Sequence, residues 1–104
     1  MSSFEDRKKS FENKFALDQE TLFKIDAKRN KFLGEWIADK LNKTGKIKED
    51  YILEVIKSDM AEPGDEDVFK KVKNDLSKGG FDNIDEEIRN KMSEFLEAAK
   101  KAVL

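Results

Sequence analysis

"NIDEEIRNKMSEFLEAAKKAVL", Asn83 to Leu104, decides the fold class. Its apolar residues Ile84, Ile88, Met92, Phe95, Leu96, Ala99 and Val103 recur at helical steps of three and four, with one adjacent pair. Charged residues fill most positions between them. That is the pattern of one buried face on an α-helix, not the alternation of a strand. The ends agree: Asp85, Glu86 and Glu87 stand where the helix dipole favours negative charge, and Lys100 and Lys101 where it favours positive charge. Asn83 is in place to cap this helix, with Glu86 three residues on as its reciprocal partner.

The same grammar extends upstream. The breakers "KTGK" (43–46), "EPGD" (62–65) and "KGG" (78–80) cut the chain into four segments, and each reads as helix. The third carries Val68, Phe69, Val72 and Leu76 between Asp65, Glu66 and Asp67 at its start and Lys78 at its close; the second carries Ile47, Tyr51, Ile52, Val55, Ile56 and Met60. Gly45 and Gly79 are expected to supply the left-handed residues that end the first and third helices.

The first segment is the long one. Leu22, Ile25, Leu33, Trp36 and Ile37 form its stripe, and Phe23, Phe32 and Leu41 widen it. Before residue 22 only Phe4, Phe11 and Phe15 remain, within about 40° of one another on a helix, a face too thin for a core. A helix from Phe4 to Leu41 would span roughly 57 Å, whereas the second and fourth would span roughly 21 and 30 Å. The bundle therefore covers only the later part of the first helix. The expected fold is all-α: a four-helix bundle over residues 20–104, with a long first helix whose N-terminal part, residues 1–19, projects as a partly disordered arm.

Composition narrows the function. The chain has 104 residues, 42% charged, with 21 basic and 23 acidic side chains interspersed to a net charge of -2. Such a balance offers no broad positive field, so neither nucleic acid nor a membrane surface is expected as a main partner. Without cysteine or histidine the chain lacks thiolate nucleophiles, sulfur and imidazole metal ligands and the usual general base. No run approaches the roughly 20 apolar residues of a membrane span, and "MSSFEDRKKS" has no apolar signal core. A cytoplasmic protein is expected, and not an enzyme.

Three stretches invite a sharper reading. "SDMAEPGDEDVF" (58–69) crowds Asp59, Glu62, Asp65, Glu66 and Asp67 but lacks the spacing that wraps calcium, so a turn and helix cap is favoured over a metal site. "KTGK" lacks the frame that cradles phosphates. "KRNKFLGEW" (28–36) sets an Arg-Asn pair and a mid-helix glycine beside the single tryptophan; core packing is favoured, with Gly34 admitting a close neighbouring helix. The arm reads instead as a partner-binding helix, because three large rings at helical spacing serve no purpose in a solvated tail.

"FEDRKKSFENKFALDQE", "KRNKFLGEW" and "SDMAEPGDEDVFKKV" resemble, in order and spacing, the zeta-subunit family of inhibitors of the F-type ATP synthase in alphaproteobacteria, over essentially the whole chain. Met60-Ala61 stands where that family tends to have an aromatic and an acid, and Phe32 where it often has leucine. The resemblance implies a four-helix bundle, no cofactor, and a regulatory subunit that blocks ATP hydrolysis. Its partners would be the catalytic and non-catalytic subunits of the synthase head near the rotor, which would hold it peripheral to the inner membrane from the cytoplasm. Residues 1 to about 19 would be the inhibitory segment. Phe4, Phe11 and Phe15 would anchor it, Arg7 and Lys14 would pair with acids of the cleft, and Glu5, Asp6 and Glu12 with its bases. The alternatives are a bundle that weakly binds adenine nucleotide and a homodimer joined through the arms. With no residue of ordinary pKa near neutrality, inhibition is expected to vary little between about pH 6.5 and 8.

Overall fold

The computed structural model describes residues 19–60 and 65–104. These form four helices and no strand: α1 Gln19–Lys40, α2 Gly45–Asp59, α3 Glu66–Lys78 and α4 Asp85–Val103. The all-α bundle read from the periodicity is the observed fold. The projecting arm of that reading lies outside the described residues.

The α1 helix is the spine, packed against both α2 and α4, while α3 closes against α2 and α4. Lys48 near the start of α2 reaches Asp39 near the end of α1 at 2.8 Å, and Asp59 at the end of α2 faces Arg29 in the middle of α1. The two helices are therefore antiparallel. At 13 residues α3 is the shortest, and Asp65, just before it, meets Arg29. The part of α1 before Arg29 thus rises beyond the start of α3.

Leu33, Ile37 and Ala38 of α1, Val55 of α2, Val72 and Leu76 of α3 and Ile88 of α4 have no exposed surface, and Tyr51, Phe69 and Met92 join them in one cluster. Burial of each large side chain here is worth about 1.5–3 kcal/mol. Gly34 serves the close approach that its place in the sequence suggested: a Cβ there would lie 3.1 Å from the Cα of Ile52 on α2.

Helix ends follow the expected charges but not the expected residues. Asn42, with φ of 59°, takes the left-handed position after α1, where the Lys43 N–H donates to the Ala38 carbonyl at 2.8 Å. Gly45 also has positive φ, at 60°, but it opens α2 instead of closing α1. After α3 the left-handed residue is Gly80, φ 94°, and the Phe81 N–H donates to the Leu76 carbonyl at 2.9 Å. Both ends carry the 6→1 bond of a Schellman motif, which needs its left-handed residue one place beyond the last helical cap. That geometry selects Gly80 over Gly79. At α4 the residue before the helix is Ile84, with no side-chain cap, and Asn83 is left-handed at φ 59°. Asn83 therefore makes the turn and does not cap the helix.

Candidate functional site

The arm residues singled out in the sequence, Phe4, Glu5, Asp6, Arg7, Phe11, Glu12, Lys14 and Phe15, lie outside the described residues. What the structure describes is the end of the bundle where α1 begins. Leu22 and Phe23 are 42% and 54% exposed there, although they share the stripe that is buried farther down. The core face of α1 starts at Ile25, 5% exposed, and not at residue 22. On the α2 side the cover stops early, because α2 ends at Asp59, opposite Arg29, and α3 begins only at Glu66.

Beside Phe23 a groove of ≈ 270 Å³ opens between α1 and α2, lined by Phe23, Asp26, Ala27, Asn30, Ile56, Asp59 and Met60. Met60 is 57% exposed. Two carboxylates thus sit between apolar walls.

Arg29 organises this end. Its side chain is 1% exposed; Nη2 donates to Asp65 Oδ1 at 3.0 Å and lies 3.8 Å from Asp59 Oδ2, while Nε donates to Oδ1 of the equally buried Asn30 at 2.6 Å. A guanidinium can be buried only where its donors are paired, and here the fork ties α1 to the end of α2 and the start of α3. Core packing was the expected role of "KRNKFLGEW"; the Arg-Asn pair in it is a polar clasp instead. The only signal in the sequence was the presence of acids thirty and more residues away, with nothing to pair them. Asp65 stands at the N-cap of α3 but makes no side-chain cap hydrogen bond; its carboxylate and that of Asp59 go to Arg29 instead, and the turn between them lies outside the described residues. Among the described residues no group of three or more His, Cys, Asp or Glu side chains is placed to hold a metal ion.

Asp26 completes the cluster one turn before Arg29 and Asn30. Partial burial pushes its carboxyl above the ordinary 3.8; Asp59 and, more weakly, Asp65 add to that push, and Arg29 opposes it. Asp59 and Asp65 share the guanidinium, and the charge of both bears on Asp26. No described helix is long and apolar enough to cross a membrane.

The described residues form a helical bundle that presents apolar side chains and carboxylates at one end. A model of the family ATPase inhibitor subunit zeta matches residues 1–102, so the chain belongs to that family, one of regulatory subunits. No curated protein and no solved structure matches the chain.

Proposed function

We propose that the chain stops ATP hydrolysis by the F-type synthase by inserting residues 1–19 as a helix into a catalytic interface of the head, while residues 20–104 remain outside as the grip. One observation carries this reading: the family match includes residues 1–18, yet the first buried residue described is Ile25. The described core cluster is drawn from residues between Leu33 and Met92, all within 20–104, which supports reading the arm as the part meant for a partner.

Phe4, Phe11 and Phe15 anchor the wedge, Arg7 and Lys14 meet acids of the cleft, and Glu5, Asp6 and Glu12 meet its bases. Burying three phenyl rings contributes about 5–9 kcal/mol, whereas ordering a free chain costs about 1–2 kcal/mol per residue. A flat contact would not offset a dozen ordered residues. The receiving site must therefore be a cleft that encloses the rings on several sides and rewards the charges as well. The synthase keeps the protein on the cytoplasmic face of the membrane.

The test is an ATPase assay of the synthase from the same source. Phe11→Ala should cost about a hundredfold in affinity, the equivalent of about 3 kcal/mol for one buried ring. The F4A/F11A/F15A variant removes the stripe without removing charge and should not inhibit. Inhibition equal to that of the parent chain would show that the rings do not carry binding.

A further inference from the structure

We infer that the partner-binding surface runs past residue 19 onto the open end of the bundle, where Leu22, Phe23 and Met60 receive an apolar, positively charged segment of the same synthase head that takes the arm. The inference rests on the function proposed above and extends it to the contact made by the bundle.

Helix phase supports it first. At about 100° per residue, Phe15, Leu22 and Leu33 fall within about 20° of one another along a continuous helix. Leu33 is fully buried by the chain's own helices, Ile25 is 5% exposed, and Leu22 rises to 42%. One face of α1 is thus buried at its lower end and exposed at its upper end, and that exposed end is the one next in sequence to the three phenylalanines. A partner element that covers Phe15 in a helical arm meets Leu22 on the next two turns.

The exposed apolar residues are also grouped. Phe23 and Met60, both more than half exposed, come from different helical segments and wall the same groove, so the patch is a surface and not one stray side chain. Charge then states the chemistry of the occupant. Asp26 and Asp59 line the groove, Arg29 gives its shorter contact to Asp65, and Lys24 is turned to Glu20. A basic side chain flanked by aliphatic or aromatic ones is what fits.

The experiment uses the full chain and the same synthase. F23Q/M60Q should raise the concentration for half-inhibition about thirtyfold, with an unchanged melting temperature. I47Q/L53Q, made at residues 64% and 51% exposed elsewhere on α2, should inhibit like the parent. Backbone amides of residues 22–30 and 56–60 should exchange more slowly once the synthase head is added.

Parent-like inhibition by F23Q/M60Q, or unslowed exchange at these amides, overturns this inference alone. Failure of the parent chain to bind or inhibit overturns the proposed function as well. A parent dimer that F23Q/M60Q dissociates without loss of inhibition would assign the patch to a second copy. Slower exchange at these amides in the free parent than in F4A/F11A/F15A would assign it to the chain's own arm. Either result overturns the inference.

Discussion

The two ends of the bundle are built from different materials. At the end where α1 and α3 stop and α4 begins, Leu41, Phe81 and Ile84 pack against the core, and Lys40 lies over both Trp36 and Phe81 at 5.2 and 5.1 Å. Two Schellman turns satisfy the last carbonyls, and Phe81 folds back over the helix it has just left. That end is closed largely by apolar contact, although Ile47 in the first turn of α2 is 64% exposed there. At the opposite end the tie is the Arg29 clasp to Asp59 and Asp65, with Leu22, Phe23 and Met60 left toward solvent. Under the function proposed above, the second end is the part offered to a partner.

Substitutions can break or sharpen that contrast. The largest effect on stability belongs to the sealed end: Leu76→Ala should cost about 3 kcal/mol, because a fully buried side chain is removed beside the Schellman turn. Denaturant unfolding measures it, and a loss below about 1 kcal/mol would mean the seal is not where stability resides. The variant should still inhibit wherever it remains folded.

Next comes the clasp. Arg29→Ala should cost about 2–3 kcal/mol, since it leaves a cavity and two acids that have lost their shared cation. It should also loosen the link between α2 and α3, read as faster amide exchange near Asp59 and Asp65. A loss confined to stability, with exchange there unaltered, would count against the clasp as a tie between helices.

Gly80→Ala follows at about 1 kcal/mol. Space is not the obstacle, as nothing lies within 4 Å of the added Cβ; the backbone φ of 94° is. An unchanged melting temperature would show that the turn can be made another way.

The smallest effect has the opposite sign. Asp26 has a raised pKa in the folded chain, so the folded state holds its proton more readily than the unfolded one, and stability falls as pH rises from the ordinary 3.8 through the folded value. Asp26→Asn should therefore raise the melting temperature slightly at pH 7, and the gain should vanish as pH drops below 3.8. A gain that persists in acid would mean that charge is not its source. With no histidine in the chain, inhibition itself should change little between about pH 6.5 and 8.

Much of this was legible before any coordinates. The apolar steps in Val68 to Leu76 and in Ile84 to Val103, and the acids and lysines that bracket them, mark helices because period and dipole act within a few residues of one another. Gly34 was legible too, since a glycine inside a strong helix needs a neighbour close enough to justify it. Turn residues were harder. Asn42 and Gly80 take the left-handed positions in place of Gly45 and Gly79 because the 6→1 bond counts from the last helical carbonyl, and composition alone does not say which carbonyl that is.

What the sequence determined by itself is the set of helices, the apolar face of each, and the presence of three phenylalanines on a face only one side chain wide. Only the tertiary structure decided where each face is covered. Leu22 and Leu33 share a phase on α1, yet one is 42% exposed and the other fully buried, with α2 ending opposite Arg29 between them. Periodicity is a local property of a helix, whereas burial depends on where its neighbours stop. Arg29, Asp59 and Asp65 meet for the same reason: pairing across thirty residues is set by how helices of unequal length return along one another, and no spacing within a single segment encodes it.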